Sequence, residues 1–146
     1  MALSLPPHVA PVITTFLETV DAEQPTLIEG LYLTGSVALG DFRPRASDID
    51  FVAVTATRPD GISLAALQRA HRILQVRYSG TVFEGVYLTW DDLTGDPSAI
   101  STAPAAFGGR FHPTARFALN PVTWHTLAKH GVVCRGPAVT SLDVWA

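Results

Sequence analysis

A chain of 146 residues, 47% hydrophobic and 16% charged, has the length of about one domain and enough apolar side chains for a core, which excludes a disordered protein. A net charge of −3 with no basic block excludes a surface built for a nucleic-acid backbone, so no large nucleic acid is expected as a partner. No apolar run reaches the roughly 20 residues of a membrane helix, residues 1–10 (MALSLPPHVA) do not read as a signal peptide, and the single cysteine, Cys134, leaves no internal disulfide and no cysteine metal site.

In chain order, Val9, Val12, Ile13, Phe16, Leu17 and Val20 fall at helical spacing, with Pro11 in the first turn and DAEQP (21–25) as the stop. Residues 28–34 read as a strand. Residues 36–39 read as one helical turn closed by Gly40, and residues 48–55 as a second strand. TRPDG (57–61) is a turn. Ser63 is the expected cap of a helix through about Tyr78, with Leu64, Leu67, His71, Leu74 and Tyr78 along one stripe, where His71 serves packing. Residues 81–90 read as a third strand and residues 91–109 as a long loop of small residues. A short strand is expected at 116–119. A helix capped by Asn120 follows, with Pro121 at its first position, running to about His130 and stopped by Gly131. Residues 132–135 make a last strand. The pattern predicts an α/β or α+β fold, a sheet with helices packed against it.

The chemistry concentrates in LTGSVALGDFRPRASDID (33–50). Side chains alternate along a strand, so Asp48 and Asp50 point the same way and repel each other unless a counter-charge intervenes. Mg²⁺ is the fitting counter-charge, since it takes oxygen ligands, binds one or two carboxylates and leaves room for phosphates. Gly35 allows close backbone approach and Ser36 adds a hydroxyl beside amides, which together describe a phosphate cradle. Glu84, in TVFEGVYL, is an ionisable group in an apolar strand and offers a third acid for a two-metal or metal-plus-base arrangement. Arg43 and Arg45 lie between cradle and acids, where they are either a solvated pair or a phosphate contact. Asn120 is a helix cap and, secondarily, a nucleotide contact. His125 and His130 are wrongly spaced for one helix face and suggest no zinc site.

Gly35-Ser36 followed by Ser47-Asp48-Ile49-Asp50 resembles the signature of the polymerase-β-type nucleotidyltransferase superfamily. Within it, LTGSVALGDFRPRASDIDFVAV (33–54) is most similar to the aminoglycoside adenylyltransferases of the streptomycin/spectinomycin type. NPVTWHTLAKHGVVCRGP (120–137) resembles the stretch that closes their nucleotidyltransferase domain. The resemblance implies a polymerase-β-like fold with a mixed sheet, Mg²⁺ as cofactor and ATP as nucleotide donor. It gives Asp48 and Asp50 the metal and the triphosphate, Ser36 and Ser47 phosphate contacts, and Glu84 the role of general base toward the hydroxyl of a small acceptor such as an aminoglycoside. With neither a signal peptide nor a membrane-length apolar run read in the sequence, cytoplasm is the expected compartment. That group continues into a helical C-terminal domain, so residues 1–140 are expected to be the nucleotidyltransferase domain and 141–146 the start of a further domain or a tail. An apolar face meant for such a domain is expected to drive self-association. Two other readings stand beside this one: an antitoxin-type nucleotidyltransferase that modifies a protein partner, and a truncated module that binds nucleotide without turnover.

Overall fold

Branched and aromatic side chains crowd three short segments, and these are β1 (Gly30–Thr34), β2 (Ile49–Thr55) and β3 (Phe83–Thr89). The computed structural model describes residues 5–35, 48–116 and 119–145. Among these, β4 (Ala103–Phe107), β5 (Arg110–Ala115) and β6 (Val132–Arg135) complete a six-stranded sheet in the order β5-β4-β3-β2-β1-β6. Strands β2 and β3 run parallel, and every other neighbouring pair is antiparallel. A parallel pair needs a crossover, and α2 (Gly61–Arg77) supplies it.

The alternation of side chains divides the core in two. Leu31, Leu33, Ile49, Phe51, Phe83 and Tyr87 face α1 (Ala10–Glu23) and α2, where they meet Phe16, Val20, Leu67 and Leu74. An aromatic group gathers there, with the Phe51 and Phe83 rings stacked at 4.3 Å between centroids and His71 stacked on Phe51, Phe83 and Phe111. On the opposite face Tyr32, Val52, Val54, Val86 and Leu88 pack with Trp124 and Leu127 of α4 (Pro121–His130) and with Leu93 of the short helix α3 (Trp90–Thr94). Trp145 joins this second core, and its amide donates to the Leu93 carbonyl at 2.8 Å. Arg135 of β6 donates twice to the Asp21 carboxylate, at 2.7 and 3.0 Å, tying an edge strand to α1. No described helix is long and apolar enough to cross a membrane.

Helix α4 begins as its sequence predicts: Asn120 Oδ1 accepts from the Val122 amide at 3.0 Å, and Pro121 sits in the first turn. Helix α2 starts earlier than expected. Asp60 is its N-cap position, and Ser63, the predicted cap, lies inside it with its amide donating to the Asp60 carbonyl.

The expected loop at 91–109 is corrected most. It holds α3, opened by a capping box between Thr89 and Asp92, then a single 3-10 turn, Pro97–Ala99, then β4. The strand predicted at 116–119 is displaced. The strand is β5, Arg116 lies beyond its end, and Leu119 belongs to no strand. The physical reason is the turn Gly108-Gly109, with φ of +61° and +74°, which closes a two-residue hairpin between Phe107 and Arg110. The helical turn expected at 36–39 lies outside the described residues.

Candidate active site

Strand β2 starts with Ile49, which is buried on the helix-covered face, so Asp50 turns to the other face. In the parallel β2–β3 pair Asp50 sits opposite Glu84, and across the antiparallel β1–β2 pair it sits opposite Thr34. Both acids are half-buried, while Asp48, just before β2, is exposed. Gly35 follows Thr34 with φ +66°, and a β-carbon there would lie 2.1 Å from Asp50 Oδ2. Only glycine suits both that backbone conformation and that proximity. Gly85 acts similarly one residue beyond Glu84, since a β-carbon would meet the Phe51 carbonyl oxygen at 2.0 Å. Close apposition of β2 and β3, and so of their acids, depends on it.

The electrostatics follow from this crowding. Burial pushes the Asp50 carboxyl up to about 6, and the negative charges of Asp48 and Glu84 add to the shift. Glu84 is also raised, first by burial. The Gly108 amide, which donates to Glu84 Oε2 at 2.7 Å, works against that shift, while the charge of Asp48 and a side-chain hydrogen bond with it push upward. No basic side chain among the described residues pairs with Asp50 or Glu84; the described ion pairs join Arg58 to Asp92, Arg69 to Glu23 and Arg135 to Asp21.

Gly35, Asp50 and Glu84 line a cleft of about 270 Å³. Its far wall is the start of α4, with the cap residue Asn120 and Thr123 and Thr126 of the first two turns, and its rim carries Phe107 of β4. Asn120 is therefore both a cap and a wall of the cleft. Residues that sequence reasoning missed are Gly108, Phe107, Thr123 and Thr126. The Gly-Gly pair of FGGRF was the available sign of a hairpin, but nothing in the sequence aims its amide at Glu84. Ser36, Arg43, Arg45 and Ser47 lie outside the described residues. A larger cavity of about 350 Å³ lies toward α2, walled by His71, Gln75 and Tyr78, and has no carboxylate in its walls.

Oxygen-only donors under mutual repulsion are the chemistry that a hard divalent cation satisfies, and the Asp48–Asp50 pair fits such an ion. Among the described residues, no three His, Cys, Asp or Glu side chains are grouped so as to hold an ion between them.

Residues 13–81 match the family model of the nucleotidyltransferase domain, a span that contains Asp48 and Asp50 and stops short of Glu84. That stretch is similar to a nucleotidyltransferase domain, and the fold of the chain agrees with one. Its fold is similar to that of spectinomycin adenyltransferase AAD(9) from Enterococcus faecialis, solved with ATP and spectinomycin. The TM-score is 0.67 at 13% identity, covering 91% of this chain and 58% of that one. The chain thus spans a little over half the length of that enzyme. A toxin–antitoxin structure solved with AMP-PNP aligns with a TM-score of 0.47 at 15% identity, over 85% of this chain and 73% of that chain. No curated protein matches the sequence.

Proposed function

We propose that this domain transfers AMP from ATP to a hydroxyl of a small acceptor of the aminoglycoside or aminocyclitol kind, with release of pyrophosphate. The observation that carries this reading is the direct opposition of Asp50 and Glu84 across β2 and β3, beside a glycine that leaves room for little else. The adenyltransferase with the similar fold was solved with ATP and spectinomycin, which supports both the donor and the acceptor class.

Asp48 and Asp50 would hold Mg²⁺, which neutralises and orients the triphosphate. Gly35 keeps the end of β1 open to phosphate, and Ser36, Arg43 and Ser47 supply further phosphate contacts. Glu84 takes the proton of the acceptor hydroxyl. The freed oxygen attacks the α-phosphorus, the bond from that phosphorus to the bridging oxygen breaks, and pyrophosphate leaves. An exposed carboxylate could not do this as well. Burial raises the Glu84 carboxyl above its ordinary range, which makes it a stronger base. Such a transferase works in the cytoplasm, where ATP is supplied, and its product would be an inactivated antibiotic.

The test is pyrophosphate release from Mg²⁺-ATP with spectinomycin and streptomycin, alone and in turn, with mass spectrometry of the acceptor. An acceptor heavier by one AMP, absent with Asp50→Asn, supports the reading. Release that is independent of any hydroxyl acceptor, or equal in the variant, overturns it.

A further inference from the structure

The Gly108-Gly109 turn touches both layers of the molecule. On the acid face the Gly108 amide donates to Glu84 Oε2 at 2.7 Å. On the other side the Gly109 carbonyl accepts from Gln75 Nε2, at the C-terminal end of α2. A two-residue turn with both glycines at positive φ has no side chains of its own to fix its position, so whatever it bonds to sets where its amides point. Strand β5 is the outer strand of the sheet, and the two strands pair in register from Phe107–Arg110 back to Ala105–His112, losing it only near Ala103, so they hold the base of the turn and leave its tip to its own contacts. Helix α2, by contrast, is well anchored: Leu67, Ala70, His71 and Leu74 are buried beneath it.

We propose that Gln75 is a positioning residue that acts through the Gly108-Gly109 turn, holding the turn so that the Gly108 amide fixes the Glu84 carboxylate on the acid face. Gln75 touches no reacting atom. It ties the hairpin tip to the same helix whose crossover makes β2 and β3 parallel neighbours, so one element sets both the spacing of Asp50 from Glu84 and the orientation of Glu84. The proposal deepens the reading of Glu84 as the base, but the contact it describes is measurable whether or not that reading holds.

The test is amide NMR of the full chain, following Gly108 in the wild type, Gln75→Ala, Gln75→Lys and Glu84→Ala. Glu84→Ala marks where the Gly108 resonance falls without its acceptor. Gln75→Ala should move Gly108 toward that position and speed its hydrogen exchange about three- to tenfold, the range that loss of one ordinary hydrogen bond allows. Gln75→Lys, which restores a donor, should return it toward wild type. Gln75 is exposed, so these variants keep the fold. If Gln75→Ala leaves Gly108 unmoved while Glu84→Ala shifts it, the tether is wrong. If Glu84→Ala does not shift Gly108, the contact itself is wrong. With a working acceptor, Gln75→Ala should lower kcat and leave the KM for ATP unchanged, and an equal change in both would reduce Gln75 to a structural part. Absence of AMP transfer in the wild type would overturn the functional reading and leave the NMR result standing.

Discussion

His71 and Asp50 lie on opposite sides of the same two strands, and both are titratable groups that the fold removes from water. Toward α2, burial is answered by neutral partners. His71 Nε2 and the Tyr87 hydroxyl are 2.6 Å apart, rings stack around them, and burial drives the imidazole down to about 3 while it raises the phenol. Toward α4, burial is aggravated. Asp50 faces Glu84, Asp48 adds a further charge, and the carboxyl rises to about 6. The first environment is complete with what the chain supplies. In the second, among the described residues, no basic side chain pairs with Asp50 or Glu84, and that is where we propose the chemistry lies.

The largest effect that would break this comparison is in Asp50→Asn. Mg²⁺-dependent ATP binding should vanish and transfer should fall on the order of a thousandfold. The metal-free protein should melt higher, because a repelled carboxylate has been removed. Calorimetric titration with Mg²⁺-ATP and a thermal melt check both halves, and unchanged affinity would end the metal assignment. Glu84→Gln should separate binding from chemistry, leaving ATP affinity near wild type while transfer drops by about a hundredfold or more. Full transfer in that variant would make Glu84 a bystander.

The two environments also pull stability in opposite directions with pH. Unfolded His71 takes a proton below about 6.5 and the folded form does not until about 3, so its contribution climbs as pH rises through that range. Folded Asp50 holds its proton up to about 6 and the unfolded form only to about 3.8, so its contribution falls as pH rises between those values. Urea midpoints measured from pH 4 to 6 should therefore rise with pH more steeply in Asp50→Asn than in wild type, and less steeply in His71→Gln. Parallel curves for all three would mean that neither group is perturbed as described. The smallest effect sharpens the boundary of the cleft: Asn120→Ala removes the α4 cap and should cost about 1 kcal/mol of stability. Weaker ATP binding beyond that loss would show that Asn120 also meets the nucleotide.

The acids were legible because two carboxylates one residue apart, at the head of an apolar run, have few uses in a packed domain. Glu84 was legible for the same reason, since Phe83 and Val86 around it are buried. The long helices were legible through their spacing, and α4 through Asn120-Pro121. The hairpin was not. Strand β4 reads Ala-Pro-Ala-Ala-Phe, with little β propensity, and takes its form from pairing with β3. Strand β5 contains a proline that argues against a strand. Because the hairpin was hidden, so was the Gly108 amide at Glu84, a contact between groups far apart in sequence that no local pattern encodes.

That same proline has a consequence for crowded solutions. An outer strand presents spare amides and carbonyls on which another chain can extend the sheet. Pro113 has no amide hydrogen, and it lies where β5 slips register against β4, between the His112 and Ala115 pairings. At the opposite border β6 has only four residues, and its last side chain is committed to Asp21. Both borders of the sheet are poor templates. Association between copies should instead use exposed apolar side chains such as Ile62 and Val76 on α2, giving reversible, salt-strengthened clusters in place of cross-β fibrils.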